Sequence, residues 1–127
     1  MGRFWYSNEC IDPADENAFT PEELDRLIEL MRESCFLGDE SGLSIEERMT
    51  EVFRGDAPQW IAFQTPDAAC YVDCYGTLYD DDRAIPIELQ FELSEDLDSF
   101  VFSGLLINGV AQPEEIVIDF EQQFATY

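Results

Sequence analysis

Lysine and histidine are both missing from this 127-residue chain, and six arginines are its entire positive charge. Without histidine there is no imidazole to serve as a near-neutral acid–base group or a metal ligand. Without lysine no Gly-Lys pair can hold a nucleotide phosphate, and Gly76, Gly104 and Gly109 stand isolated. The clustered Lys and Arg that nucleic-acid phosphates require are absent too, which argues against direct nucleic-acid binding and against an anionic membrane surface. Long apolar runs are also lacking, since none approaches the roughly 18 to 20 residues of a spanning helix. Residues Met1–Cys10 do not have the basic-then-apolar layout of a signal peptide, so a cytoplasmic location is expected.

What the chain has in surplus is acid. Against six arginines stand 29 Asp and Glu, a net charge of −23 and a pI near 4.1. Solubility needs a net charge of only about 2 to 8 in a small domain. The excess raises self-repulsion, so it calls for a use. Hydrophobic residues make up 46% and aromatics 13%, ten of them Phe, which supplies a core and removes the low-hydrophobicity signature of disorder. The length fits one acidic globular domain over 1–127, able to bury roughly two-thirds of its unfolded surface. No internal repeat or low-complexity segment divides it.

Periodicity orders the elements. After an aromatic start, Phe4, Trp5 and Tyr6, read as a short strand or docked arm, a polar loop leads to Thr20-Pro21-Glu22-Glu23, which has the hydroxyl cap, first-position proline and third-position carboxylate of a helix start. Leu24, Leu27, Ile28, Met31 and Cys35 follow at helical spacing, and Gly38 closes the segment. Ser44 and Glu47 open a second helix that buries Ile45, Met49, Val52 and Phe53 and stops at Gly55. From Gln59 the pattern is extended: Gln59–Gln64, Ala69–Tyr79, an alternating strand through Ile85, Ile87, Leu89, Phe91 and Leu93, and the apolar run Phe100–Ile107 before the turn signal Asn108-Gly109. Pro86 places the start of its strand at a sheet edge or where no donor is needed. Residues 113–124 read as a third helix, although Ile116, Ile118 and Phe120 also alternate as a strand would. The expected fold is α+β: an antiparallel sheet of about four strands, with two N-terminal helices and a C-terminal helix on one face and the other face open, Glu88, Gln90 and Glu92 pointing out of it.

Chemistry is tested next. Cys10, Cys35, Cys70 and Cys74 are expected as free, buried thiols, the last two on one face of a strand. A cysteine nucleophile would lack a base, and carboxylate pairs are too abundant here to single one out. Counted as a calcium loop from Asp80, the segment has Asp82 at the third position. Ala84, Ile85 and Phe91 then fall at the fifth, sixth and twelfth, where acid, glycine and glutamate are needed. No catalytic residue, metal or cofactor is therefore expected, and function is assigned to a surface.

Glu88 and Glu92 on a strand, or Glu29 and Glu33 on a helix, place carboxylates at multiples of about 6 to 7 Å, near twice the charge repeat of a nucleic-acid strand. In size, charge and lack of catalytic parts the chain resembles the small acidic DNA-mimic inhibitors of the anti-restriction and anti-CRISPR kind. It shares no motif with a particular family, so no residue role carries over. The resemblance implies a basic protein partner, a nucleic-acid-binding enzyme. An immunity protein or antitoxin against a basic toxin such as a nuclease, anchored by Trp5, Tyr6 or Trp60, is the alternative, followed by a chaperone for a basic client. A solvated acidic coat is the plain competitor; Glu outnumbering Asp and the wealth of Phe and Cys speak against it. The partner-binding candidates are Asp80, Asp81, Asp82, Glu88, Glu92, Glu95, Asp96 and Asp98, with Glu22, Glu29 and Glu33 on the first helix. An open sheet face would also let two copies pair, against their like charge.

Overall fold

The computed structural model describes residues 10–36 and 38–124. The aromatic arm of the sequence reading, Phe4 to Tyr6, lies outside the described residues.

Two capping boxes start the helical layer. Helix α1 (Pro21–Glu33) opens where the Glu23 N–H donates to Thr20 Oγ1 (3.2 Å) and the Thr20 N–H donates to Glu23 Oε1 (3.1 Å). Helix α2 (Ile45–Val52) repeats the device with Ser44 and Glu47. Each box satisfies two backbone donors that a helix leaves unpaired and sets carboxylates against its positive end. Helix α1 stops at Glu33, where the Ser34 hydroxyl donates to the Leu30 carbonyl (2.7 Å). Cys35 is therefore not part of its buried stripe. It is exposed, as is Cys10, whereas Cys70 and Cys74 are buried and all four are free.

Five strands follow as an antiparallel meander, β1 (Gln59–Gln64), β2 (Cys70–Asp80), β3 (Arg83–Leu93), β4 (Phe100–Ile107) and β5 (Val110–Ala111), paired in chain order. The fifth, two residues long and beyond the Asn108-Gly109 turn, is too short to show a period, which is why the sequence reads as four. Asn108 (φ 53°) and Gly109 (φ 78°) both take the left-handed conformation that a tight two-residue hairpin turn demands. Helix α3 (Glu114–Gln122) resolves the tail as helical, and its buried positions Val117 and Glu121 sit four apart. Pro86 lies in central strand β3, not at an edge. It pairs opposite Thr77, while its carbonyl accepts from the Asn108 N–H (2.8 Å) just past the last β3–β4 pair, so no donor is missed.

The helices lie on one face of the sheet. That inner face carries Cys70, Val72 and Cys74 from β2, Ile87, Leu89, Phe91 and Leu93 from β3, and Phe102 and Leu105 from β4. Against it pack Leu27 and Met31 of α1, Ile45 and Met49 of α2, and Val117 of α3. Phenylalanine links the layers: Phe36 stacks on Phe124 at 4.3 Å, and Phe91 and Phe102 meet at 5.4 Å. Ser103 is the extra residue of a bulge, because Gln90 pairs with Gly104 and Phe91 with Phe102. Among the described residues no helix is long and apolar enough to cross a membrane.

Two arginines fasten the helical layer. Arg32 of α1 grips Glu46 of α2 through two bonds (3.0 and 2.9 Å) and also meets Glu29. Arg48 holds Asp39, in the connection between the helices, through two more (2.8 and 3.1 Å). The Asp39 side chain has no solvent exposure, and the Arg48 guanidinium keeps its carboxyl far below the usual range.

At Gly76 of β2 the ring of Phe53, the residue that caps α2, lies against the strand. A Cβ there would lie 2.5 Å from the ring of Phe53, which is itself fully buried. Gly76→Ala should therefore destabilise the fold by about 1–3 kcal/mol, seen as a lower urea midpoint with an unchanged slope. In a Phe53→Leu background the added methyl should cost less; an equal cost in both backgrounds would place the strain elsewhere.

Candidate functional site

Alternation along the strands decides what the outer face shows. Residues opposite one another in an antiparallel pair share a face. The registers therefore put Gln59, Ile61 and Phe63 of β1 with Tyr75, Asp73 and Tyr71 of β2, and these with Glu88, Gln90 and Glu92 of β3, on the face away from the helices.

Along β3 the acidic candidates fall into one line. Asp80, Asp81 and Asp82 form the β2–β3 hairpin tip, where Asp81 takes a left-handed φ of 53° that aspartate tolerates better than most residues. Glu88 and Glu92 follow on the outer face. Glu95, Asp96 and Asp98 crown the far end in the β3–β4 connection, turned around the Ser94 hydroxyl, which donates to Asp96 Oδ1 (2.7 Å) with Asp98 Oδ1 at 3.4 Å. That hydroxyl, then Asp98, lowers the Asp96 carboxyl below its ordinary range. The ten residue steps of β3 carry the line across about 33 Å. All these carboxylates are exposed except Glu88, whose half-burial raises its pKa. Among the described residues none of them is in an ion pair, and Arg83 beside the tip makes none.

The helix candidates do not join this line. Glu22, Glu29 and Glu33 are exposed on α1, in the layer behind the sheet, and Glu29 is paired with Arg32 at 2.9 Å. The helix candidates and the β3 candidates therefore belong to different layers, as helices on one sheet face and Glu88 and Glu92 on the other imply.

Gln90 is a correction. It lies on the outer face but has no solvent exposure, so of the three only Glu88 and Glu92 reach solvent. Beside it, Asp73 is also buried although it lies on the outer face, where Phe63 and Tyr71 stack at 5.4 Å. The Gln90 side chain bonds the Asp73 carboxyl, while Asp73 Oδ1 has no partner. Burial, helped by the charge on Glu88 and opposed by the Gln90 bond, pushes the Asp73 pKa up to about 7. Neither residue stands out in the sequence, because alternation alone assigns both to an open face. Asp73 does break an otherwise β-favouring run, Cys70 to Tyr79, and that is the only signal it leaves.

Two exposed apolar side chains, Leu30 on α1 (45%) and Val101 on β4 (51%), stand at the same end of the molecule as the β3–β4 acids. Periodicity flags neither, since Leu30 lies off the buried stripe and Val101 is inside a largely apolar run. Among the described residues no group of three or more His, Cys, Asp or Glu is arranged to hold a metal ion. No protein family, curated protein or solved structure matches this chain. Its surface must be read on its own chemistry.

Asp73 makes folding pH-dependent in a defined direction. Between an unfolded pKa near 3.8 and a folded value of about 7, the native state holds a proton that the unfolded state has lost, so this group's contribution weakens as pH rises through that window. Asp73→Asn removes the titration. The variant should exceed the parent in stability at about pH 8, by on the order of 1–3 kcal/mol, with the gap closing towards about pH 4. Urea denaturation at several pH values measures it, and a gap that does not change with pH would count against a buried, protonatable Asp73.

Proposed function

We propose that this protein is a non-enzymatic inhibitor whose acidic line along β3 occupies the basic nucleic-acid-binding surface of a partner enzyme, in the manner of a DNA mimic. The observation that carries the reading is the line itself: eight carboxylates, none of them ion-paired among the described residues, run from the β2–β3 tip along central strand β3 to the β3–β4 connection. Its span of about 33 Å approaches one turn of duplex DNA, about 34–36 Å. Strand β3 fixes Glu88 and Glu92, and the Ser94 hydroxyl ties the turn that carries Asp96 and Asp98, which reduces the ordering left to be lost on binding. The surplus charge also steers a basic partner into encounter from a distance.

The exposed apolar pair Leu30 and Val101 favours, as a second reading, an immunity protein that caps a basic toxin, because such complexes concentrate binding energy in a few anchors.

Four substitutions along the line, Asp80→Asn, Asp82→Asn, Glu92→Gln and Glu95→Gln, leave the fold intact because all four positions are exposed. Affinity for the partner should fall about tenfold or more at low ionic strength, and the dependence of affinity on salt should flatten with it. The check is a pull-down from cell extract, with the retained enzyme challenged by duplex DNA. Displacement by DNA and loss in the quadruple variant support the mimic; a retained toxin, blocked in activity and indifferent to DNA, supports the immunity reading. Undiminished binding by the variant at low salt would remove the β3 line from the mechanism.

A further inference from the structure

Behind the acidic connection lies a groove of about 490 Å³, roofed by the end of α1 and floored by β4 and α3. Its apolar wall comes from Leu30, Phe36, Leu97, Phe100 and Val101, and Cys35 opens onto it. Asp98 and Glu121 are its charged lining groups, and no basic side chain lines it among the described residues. Leu97 holds its corner in a left-handed conformation (φ 61°), part of the tight turn that carries Glu95, Asp96 and Asp98 past the mouth.

We infer that this groove is the anchor point for a segment of a protein partner that presents a bulky apolar side chain flanked by arginine or lysine. The volume falls in the range that admits one or two large side chains. Charge selects what accompanies them. An apolar ligand bearing its own carboxylate, such as a fatty acid, would meet Asp98 at the rim and the field of a chain of net charge −23. A cationic flank finds carboxylates instead. Exposed Leu30 and Val101 lose their contact with water when the segment seats, which gives a short-range attraction that salt does not screen. The inference rests on reading the chain as a binder of basic proteins, and it adds what that reading lacks: a part of the surface whose contribution survives high salt and fixes the partner's register.

The cysteines supply the measurement. Cys35 and Cys10 are both exposed thiols, but of the two only Cys35 lines the groove, while Cys70 and Cys74 are buried. The full chain is treated with iodoacetamide, a neutral alkylating agent, at low ionic strength, where the flanking charge of a peptide is felt. Three synthetic peptides are added separately: one with a Phe-Leu pair flanked by arginines, one with Ser-Gly in place of that pair, and one with glutamates in place of the arginines. The first should slow alkylation of Cys35 about tenfold relative to Cys10 when present at about ten times its Kd. The other two should not, and Val101→Asp together with Leu30→Glu, both surface positions, should abolish the protection. Equal protection by the Ser-Gly peptide, stronger protection by the glutamate peptide, or parallel protection of Cys10 and Cys35 would each overturn the inference. The quadruple variant of the β3 line leaves the groove lining untouched and should keep the protection. Failure of the mimic reading and failure of the groove therefore give different results.

Discussion

Self-repulsion is the constraint around which the structure is organised. With a net charge of −23 on 127 residues, every element is pushed away from its neighbours, and the push is strongest at low salt. What opposes it is short-ranged: a one-sided core of aliphatic side chains closed by phenylalanine contacts running from Phe36 through Phe91 and Phe102 to Phe120 and Phe124. Dispersion and burial are indifferent to charge, so a core rich in large rings holds where a smaller one would be forced apart.

The few arginines are spent with economy. Arg32 and Arg48 lie where helices α1 and α2 and their connection would otherwise crowd carboxylates together, and between them they engage Glu29, Glu46, Asp39 and Glu51. Arg48 also lies 5.8 Å from the centre of the Phe124 ring, tying the charged connection to α3. Along β3 no such compensation occurs among the described residues. The helical layer is stabilised by local neutralisation, while the outer sheet face keeps its charge, and this difference between the two layers makes the sheet face the better candidate for recognition.

Most of the fold was legible in the sequence because its devices are local. Thr20-Pro21-Glu22-Glu23 and Ser44 with Glu47 are capping boxes, Asn108-Gly109 is a turn, and Ile85 to Leu93 alternates without interruption. What was not legible depends on tertiary context. Cys35 matches the stripe of α1 by spacing, but the helix ends two residues earlier at Glu33, and the hydroxyl of the capping Ser34 donates to the Leu30 carbonyl. Gln90 alternates with Glu88 and Glu92 and so reads as exposed, yet it is buried beside Asp73. The sequence names the acidic residues, but only the registers show that Glu88 and Glu92 share the outer face of β3 between two acidic turns, while Glu22, Glu29 and Glu33 lie on the helical layer. The groove needed α1, α3 and the β3–β4 connection to be brought together, and no period in the chain announces that.

Strand β1 gives the acidity a further meaning. Its six residues, Gln59 to Gln64, contain no charge and no proline, and among the described residues it is an outermost strand of the sheet, with Ile61 half exposed. Outer strands of this kind invite another chain to add itself by backbone hydrogen bonding, and proteins ordinarily discourage this with a lysine or proline on the strand itself. Here the deterrent is collective. Two copies approaching edge to edge must bring two strongly negative bodies together, so the whole surface supplies a protection that the residues of β1 do not, and the Ile11 N–H already occupies the Gln64 carbonyl at its end. That protection fades near the pI of about 4.1, and β1 is the part of the molecule that acidification would turn into a seam for self-association.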